Sequence, residues 1–266
     1  MATILITGSN SGFGRLASLT LARGGHDVIA TMRTPSKGED LQRLADDEGL
    51  SIAIGHLDVT DPTSVEACLA DPHEIDVLVN NAGFEVEGAI EQIDDSLMWR
   101  QLDTNVMGPL RTMRAVLPAW RERGSGVIVN VSSIAGRVGS PYAGAYSASK
   151  YALEAMSESL NFEVGQSGIR VHLIEPGRFT TSFQGNKVRP ESWADSDQER
   201  CLSKTANTCT QKLRTRPCGV FAVLAIPSDS RDLVWVFREV SPVKWGRLHS
   251  RVRPQKCRQR RPPGFP

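Results

Sequence analysis

The segment from Thr3 to Gly14 constrains the fold more than any other part of the sequence. A short apolar and β-branched run, Thr3 to Thr7, ends in a glycine-rich turn that contains Gly8 and Gly12, and helix formers follow it. A strand, a glycine turn and a helix in this order leave free backbone N–H groups at a helix N-terminus, which suits a pyrophosphate group. A glycine cluster alone is weak evidence, but at the start of a βαβ pattern it predicts nucleotide binding.

Strand-like apolar runs alternate with helical patterns along the following part of the chain. The predicted strands are residues 27–33, 51–59, 75–79, 127–133 and 171–175, and the predicted helices cover 38–48, a segment after Pro62, 97–123 and about 146–165. Nearly continuous runs of Val, Ile and Leu separated by helices are typical of a parallel sheet covered on both faces. The 266 residues are enough for one α/β domain with a sizeable core.

The end of the second predicted strand bears on the choice of nucleotide. A dinucleotide-binding fold reads the adenosine ribose at this point, where an acidic residue favours a free 2′-hydroxyl group. This chain has Arg33 there, and a guanidinium group can bind a 2′-phosphate. The sequence therefore favours NADP(H) over NAD(H), although an arginine after a strand is also common on ordinary solvated surface.

Ser133, Tyr146 and Lys150 form a candidate catalytic group. If a helix begins near Tyr146, Lys150 lies one turn further on the same face, and Ser133 at the mouth of the preceding strand can approach both. An ammonium group ~4 Å from the phenol contributes roughly 4 kcal/mol at an effective dielectric constant of about 20, enough to lower the tyrosine pKa by up to about 3 pH units. We therefore expect Tyr146 to act as a general acid/base. An isolated Tyr-x-x-x-Lys spacing, however, is more often an ordinary pair on a helix surface.

Asn105 interrupts an otherwise apolar helical face in the segment 97–123. The neighbouring apolar positions recur at helical spacing, so this side chain is expected to be buried. A buried amide needs hydrogen-bond partners. Asn105 is therefore either a structural tie or a part of the site.

Seven motifs, in order and in register, resemble those of the short-chain dehydrogenase/reductase family. They are TGSNSGFG (7–14), LDVTD (57–61), NNAG (80–83), Asn105, SS (132–133), YSASK (146–150) and PG (176–177). The resemblance covers residues 3 to about 183. It implies a single-domain α/β Rossmann fold with a doubly wound, mostly parallel sheet, and hydride transfer between a nicotinamide and a carbonyl or alcohol group.

The resemblance also implies a role for each matching residue. Tyr146 would be the general acid/base, Ser133 would hold the substrate oxygen, and Lys150 would bind the nicotinamide ribose and lower the tyrosine pKa. Asn105 would support a water molecule that relays protons. The residues expected to contact the cofactor are Gly8, Ser9, Ser11, Gly12, Phe13, Gly14, Arg33, Asp58, Val59, Asn80, Ala82, Gly83, Tyr146, Lys150, Pro176, Gly177, Phe179 and Thr181.

Two further segments, 85–92 and 152–160, look like those of family members that act on steroids, retinoids or similar apolar carbonyl compounds. The family resemblance also implies a homodimer or homotetramer formed through the long helices at 97–123 and 147–165. A different class of function, a nucleotide-binding regulator on the same fold, remains open. The intact Ser133, Tyr146 and Lys150 argue against it, because a sensor has no need of all three.

Composition excludes several other classes of protein. The five cysteines are odd in number and without paired spacing, which favours a reducing compartment without disulfides. The five histidines have no metal-ligand spacing. The longest apolar stretch, residues 219–226, is too short to span a membrane, and the first residues lack the features of a signal peptide. We expect a cytoplasmic protein with a small-molecule substrate and no nucleic-acid partner.

Residues 201–266 differ in character from residues 1–200, which we assign to the dinucleotide-binding and catalytic domain with a substrate loop at about 182–200. The first 200 residues carry 17 basic and 27 acidic side chains, whereas residues 201–266 carry 14 and 3. Helical and strand periodicity is also lost there, although residues 219–226 and 233–240 are apolar enough for strands, one of which could be the seventh strand of the sheet.

Three interpretations of residues 201–266 remain. They could be a divergent, poorly packed extension whose basic, proline-rich end is disordered. They could be a basic arm for nucleic acid or an anionic membrane. We favour the third, a shift of the coding frame between about 185 and 215, which would leave a catalytically impaired product if the altered end fails to complete the substrate pocket. Translating the neighbouring frames of the gene tests this, because the native helix and strand should then reappear.

Overall fold

A computed structural model of the protein describes residues 1–177, 185–193 and 238–239. In these residues the β-strands are β1 Thr3–Thr7, β2 Asp27–Met32, β3 Ile52–His56, β4 Val77–Asn80, β5 Glu85–Val86, β6 Gly126–Val131, β7 Ile169–Ile174, β8 Lys187–Val188 and β9 Arg238–Glu239. The α-helices are α1 Gly12–Arg23, α2 Glu39–Glu48, α3 Pro62–Cys68, α4 Asp95–Leu102, α5 Gly108–Arg123 and α6 Gly144–Val164.

The main sheet has the strand order β3-β2-β1-β4-β6-β7-β9. Every pairing from β3 to β7 is parallel. The chain builds outward from β1 in one direction and then from β4 in the other, so the predicted doubly wound Rossmann fold is confirmed.

Strand β1 shows why both faces of the sheet must be covered. Successive side chains of a strand point to opposite faces. Leu5 therefore packs in one hydrophobic cluster with residues of α5 and α6, such as Trp120 and Val164, while Ile4 and Ile6 pack in a second cluster with residues of α1 and α2. A strand buried on both sides carries an uninterrupted apolar run, as the sequence of β1 does.

The long helix predicted over residues 97–123 is interrupted. Helix α4 ends at Leu102, a π-helical turn covers Asp103–Met107, and α5 begins at Gly108. Pro109 occupies the first turn of α5, where its missing N–H costs nothing. Asn105, which broke the apolar pattern in the sequence, lies in the wider turn and is 1% exposed.

Two short pairings lie outside the predicted strand set. β5 and β8 form a small parallel sheet, in which Glu85 pairs with Lys187 and Val86 with Val188. β9 adds to the edge of the main sheet antiparallel to β7. The sequence left residues 219–226 and 233–240 open as a seventh strand; β9 lies within the second of these, and the rest of that segment and residues 219–226 lie outside the described residues.

None of the helices in the described part of the chain is long and apolar enough to cross a lipid bilayer.

Candidate active site

Most of the predicted site residues that the structure describes lie on segments that leave the carboxyl edge of the parallel sheet, where β1 and β4 lie side by side at its centre. In doubly wound folds, ligands bind in the crevice at this topological switch point. Backbone hydrogen bonds connect the loops that leave the sheet here: Ser132 donates to the Ile174 carbonyl at 2.7 Å, and Ile134 donates to the Pro176 carbonyl at 3.0 Å. The loops after β6 and β7 are therefore fixed to each other.

The glycine turn after β1 is tightly packed, with no room for larger residues. Gly8 has a φ of +70°, and a Cβ atom there would lie 2.8 Å from the Ala82 Cα. A Cβ atom on Gly14 would lie 2.4 Å from the Gly8 carbonyl oxygen. Gly12 also has a positive φ, +55°. This close approach of backbone to backbone is what a loop needs in order to bring its N–H groups to a phosphate.

The first turn of α1 provides those N–H groups. Ser11 is the residue before the helix, and its side chain makes no capping hydrogen bond, so the N–H groups of the first turn have no side-chain cap from it. Phe13 lies in this turn and is partly buried. Ser9 is fully buried, with its hydroxyl donating to the Ile6 carbonyl at 3.0 Å. The turn thus has the close backbone packing and the helix N-terminus that a pyrophosphate site needs, while the hydroxyl of Ser9, expected at the cofactor, is bonded within the turn.

Asn81 is a residue that the prediction from sequence missed. Its Nδ2 donates to the carbonyl oxygens of Thr7 at 2.9 Å and Gly8 at 3.0 Å, while the Thr7 hydroxyl accepts from the backbone N–H groups of Asn81 and Ala82. These bonds attach the segment after β4 to the glycine turn. The NNAG motif could have indicated it, because Asn81 lies between Asn80 and Ala82, which were both predicted to contact the cofactor.

Asn80, by contrast, points into the core and away from the crevice. Its Nδ2 donates to Asn130 Oδ1 at 2.9 Å, and its Oδ1 accepts from the Thr112 hydroxyl at 2.6 Å. Asn130 in turn donates to Ser157 at 2.8 Å. The Asn80 side chain therefore connects β4 to α5 and, through Asn130, to α6 beneath the site.

The residues predicted at the adenosine end lie at the ends of β2 and β3. Arg33 is exposed directly after β2, and its charge acts on Asp58. Burial would raise the Asp58 pKa, but hydrogen bonds from Thr60 and the charges of Arg33 and His56 outweigh it, so the pKa lies below its usual value. Val59 is 6% exposed, close to the start of α5.

Ser133, Tyr146 and Lys150 are brought together, as predicted. The Ser133 hydroxyl is hydrogen-bonded to the Tyr146 phenol. Lys150 Nζ lies 5.7 Å from the centre of the Tyr146 ring and donates to the Val131 carbonyl at 2.8 Å. Tyr146 and Lys150 lie on α6, and Ser133 follows the end of β6.

The expected effect of Lys150 on the tyrosine is wrong for this structure. The pKa of Tyr146 is raised to about 12, because burial disfavours the phenolate and the charge of Glu85 acts in the same direction, while the Ser133 hydrogen bond opposes them. Burial also lowers the pKa of Lys150 to about 8. The prediction from sequence included the attraction between the ammonium and the phenolate but not the cost of burying both groups.

Asn105 is a structural tie in the described chain. Its Nδ2 donates to the Phe84 carbonyl at 3.0 Å and to the Ser149 hydroxyl at 3.1 Å, and its Oδ1 accepts from the Phe84 N–H at 3.2 Å. A Cβ atom on Gly83 would lie 3.1 Å from the same Oδ1. Asn105 thereby joins the segment after β4 to α6, one residue from Lys150.

Residues 185–193 are held to the segment after β4 by a clasp, which we define as β5, β8 and the ion pairs of Glu87 with Lys187 and Arg189. Glu87 is 7% exposed; it pairs with Lys187 and accepts from Arg189 Nη2 at 2.8 Å. The ring of Tyr142 meets Trp193 edge to face, with 5.8 Å between their centres. Residues 185–193 therefore lie against the segment that follows β4.

The remaining predicted cofactor residues belong to the loop after β7. Pro176 and Gly177 are described, and no heavy atom would lie within 4 Å of a Cβ on Gly177, so the backbone there is open to a ligand. Phe179 and Thr181 lie outside the described residues.

A doubly wound sheet with a phosphate-sized glycine turn at its switch point, and a Ser–Tyr–Lys group at the same edge, defines a nicotinamide-dependent oxidoreductase of the Rossmann type. The model of the short chain dehydrogenase family matches residues 2–192. The protein belongs to the short-chain dehydrogenase/reductase family and is an NAD(P)-dependent dehydrogenase/reductase. When bound, the nicotinamide carries the hydride, and the protein supplies the binding and orientation.

Several relatives support this assignment. The chain is 40% identical over 200 residues to a 3-ketodihydrosphingosine reductase of Bacteroides thetaiotaomicron, covering 73% of this chain and 72% of that one. It is 38% identical to human retinol dehydrogenase 8, covering 73% of this chain and 64% of that one. Among solved structures, a short-chain dehydrogenase from Streptomyces avermitilis superposes with a TM-score of 0.68 at 34% identity, covering 81% of this chain and 85% of that one.

Proposed function

We propose that the protein reduces a carbonyl group with NADPH, with Tyr146 donating the proton, Ser133 holding the substrate oxygen and Lys150 binding the nicotinamide ribose. The observation that carries this proposal is the Ser133–Tyr146 hydrogen bond with Lys150 beside it, at the same sheet edge as the glycine turn. A phenol with a pKa of about 12 is protonated at neutral pH. That is the state from which a proton can be donated to a developing alkoxide.

The preference for NADP(H) is supported by Arg33. It is exposed at the end of β2, where a 2′-phosphate would be read, and a guanidinium group matches a phosphate in shape and charge. Related solved structures also contain this cofactor. One is an actinorhodin polyketide ketoreductase with NADPH, 32% identical, covering 68% of this chain and 71% of that one with a TM-score of 0.65.

The substrate we propose is an apolar carbonyl compound with a long hydrocarbon portion. The names of two relatives support it, because a 3-ketodihydrosphingosine reductase and a retinol dehydrogenase both act on an oxygen function attached to such a portion. A panel of long-chain ketones, retinal, steroid ketones and small ketones with NADPH would rank these classes. Binding of cofactor without turnover of any class would instead favour a sensor.

Replacing Tyr146 with Phe tests the chemistry. We expect turnover to fall by about 10²–10⁴-fold, the usual contribution of a positioned acid, while NADPH binding measured by fluorescence changes little. The matched control is Tyr151→Phe, because Tyr151 lies on the same helix but is exposed, with its hydroxyl donating to the Arg137 carbonyl. Wild-type turnover in Tyr146→Phe would remove Tyr146 from the mechanism.

Replacing Arg33 with Asp tests the cofactor preference. Losing one charge-assisted contact of about 1.5–3 kcal/mol should weaken NADPH binding by about 10–100-fold, while NADH binding is unchanged or improved. Arg43→Asp, at an exposed position of α2, is the control for a general change of charge. An unchanged ratio of the two affinities would contradict the 2′-phosphate contact.

We propose a homodimer or homotetramer through the faces of α4, α5 and α6. Apolar side chains exposed there support it: Trp99 is 69% exposed on α4, and Phe162 is 54% exposed on α6. Phe162→Asp should then lower the mass measured by light scattering to that of a monomer.

We also propose a cytoplasmic location on the basis of cysteine usage. We further propose that residues 201–266 are a frame-shifted end, which is supported by the end of the family match at residue 192.

A further inference from the structure

A cluster of charged side chains lies behind the catalytic group and is not used by the proposed mechanism. Arg137, in the turn after β6, is its centre. Its Nη2 lies 2.9 Å from a carboxylate oxygen of Glu154 and 2.9 Å from one of Glu175, and its Nη1 lies 3.5 Å from Glu158. One guanidinium group therefore connects the turn that follows Ser133, helix α6 and the end of β7.

Glu154 is the most deeply buried carboxylate of this cluster. It is 3% exposed, whereas the side chain of Glu158 is 46% exposed. Glu154 follows Lys150, which is 5% exposed, by four positions in α6, so the two side chains lie on the same face one turn apart. The ion pairs of the described residues do not include one between these two groups, and the Lys150 ammonium donates to the Val131 carbonyl. The charge of Glu154 therefore acts on Lys150 across the buried interior, where it favours the ammonium form.

The turn that contains Arg137 packs directly against this part of α6. A Cβ atom on Gly136 would lie 3.0 Å from the Glu154 Cγ, 2.9 Å from the Ser132 hydroxyl and 3.2 Å from the Lys150 carbonyl carbon. There is no space for a layer of water between the turn and the helix. Charges in such surroundings interact more strongly than charges on the surface.

We propose that Glu154 is a positioning residue for the reaction: fixed by Arg137, its carboxylate is the counter-ion that keeps Lys150 protonated. The inference rests on the proposed function, which gives Lys150 its role in binding the nicotinamide ribose. Glu154 itself acts through Lys150, without contact with substrate.

The charges around Glu154 set the pH range in which Glu154 and Lys150 are both charged. Burial raises the pKa of Glu154 to about 7, with Glu175 and Glu158 adding to the increase, while Ser132 and Arg137 oppose it. Burial lowers the pKa of Lys150 to about 8, and the charge of Glu154 opposes that fall. Removing the carboxylate therefore lets Lys150 lose its proton at lower pH.

A titration of Lys150 tests the proposal without requiring turnover. In the full chain labelled with ¹³Cε-lysine, the Lys150 signal is assigned by its loss in Lys150→Arg and followed by NMR against pH. We expect its midpoint to move to lower pH by about 1 pH unit in Glu154→Gln. Glu158→Gln is the matched control, because it also removes a carboxylate near Arg137 and should leave the midpoint unchanged.

The pH profile of carbonyl reduction is the second measurement. Its alkaline limb should move to lower pH in Glu154→Gln and return toward the wild-type position in Glu154→Asp, which restores the charge. If Glu154→Gln does not fold, Arg137→Gln replaces it, since loss of the guanidinium favours the protonated carboxyl and should move the Lys150 midpoint in the same direction. A wild-type midpoint in a folded variant overturns the proposal, whereas a moved midpoint in a protein without turnover overturns only the proposed function.

Discussion

Glu87 and Glu154 are both buried glutamates, but they lie in clusters of opposite charge balance. Burial alone would raise both pKa values. At Glu87, hydrogen bonds and charge from Lys187 and Arg189 outweigh burial, and the pKa lies below its ordinary value. At Glu154, one arginine is shared with Glu158 and Glu175, and the pKa rises to about 7. Glu154 is the more deeply buried of the two, and it shares its arginine with two other carboxylates, whereas Glu87 has two cations beside it; both differences raise the Glu154 pKa relative to that of Glu87.

The two clusters also lie in different places and have different consequences for the site. The clasp around Glu87 attaches residues 185–193 to the segment after β4, and a carboxylate that is charged throughout the neutral range keeps this attachment at neutral pH. The cluster around Arg137 lies behind Lys150, where a carboxylate near its titration point makes the site sensitive to pH. Three substitutions test this difference between the two clusters.

The largest effect is expected from Glu87→Gln. It leaves Lys187 and Arg189 without their shared carboxylate, and we expect the free energy of unfolding at pH 7 to fall by about 2 kcal/mol, since water reaches part of both cations. Because the folded pKa is below the unfolded value of 4.5, this stability is present above that value and is lost as pH falls through the folded pKa. Urea unfolding at pH 7 and about pH 3 measures it; exposed Glu91→Gln is the control. An equal loss at both pH values would contradict the ion-pair account.

A smaller effect of opposite sign is expected from Glu154→Gln. The folded pKa of about 7 lies above the unfolded value of 4.5, so the stability that the protonated side chain provides is present below 4.5 and is lost as pH rises through 7. The neutral amide avoids that loss, and we expect this gain to exceed what Lys150 and Arg137 lose with the charge. The free energy of unfolding should therefore rise by about 1 kcal/mol at pH 8 and stay unchanged at pH 4.5. Urea unfolding at both pH values decides it, and a variant less stable at pH 8 would show that Glu154 is charged at little cost.

The smallest effect is expected from Arg189→Lys. Arg189 donates to Glu87 through both Nε and Nη2, and its side chain is 39% exposed. A lysine keeps the charge but not the paired donors, so a loss of about 0.5 kcal/mol in thermal or urea unfolding is expected. A loss as large as that of Glu87→Gln would mean that Arg189, and not the pair of cations, keeps Glu87 charged.

The parts of the site that follow from local spacing could be predicted from the sequence. The glycine turn and the Tyr146–Lys150 pair each lie within a few residues, and one helical turn or one tight turn fixes their geometry. The strands and their parallel order followed from apolar runs such as β1. These features need no knowledge of distant contacts.

Features that depend on distant contacts could not be predicted. Glu87 and Lys187 are 100 residues apart, and nothing in either segment alone points to the other. Arg137 meets its carboxylates on α6 and β7 only after the sheet has formed. The raised pKa of Tyr146 depends on how completely the folded chain buries it, and a spacing rule does not contain that information.

The π-helical turn at Asp103–Met107 directs the effect of a change in length toward the site. It closes hydrogen bonds over five residues where an α-helix spans four, so it holds one residue more than a regular helix. Losing that residue would restore a regular helix while α5 keeps about the same orientation, and Trp120, fully buried in α5, would stay in the core. Asn105 would lose the wider turn in which it reaches Phe84 and Ser149. A deletion of one residue here should therefore disturb the site more than the fold.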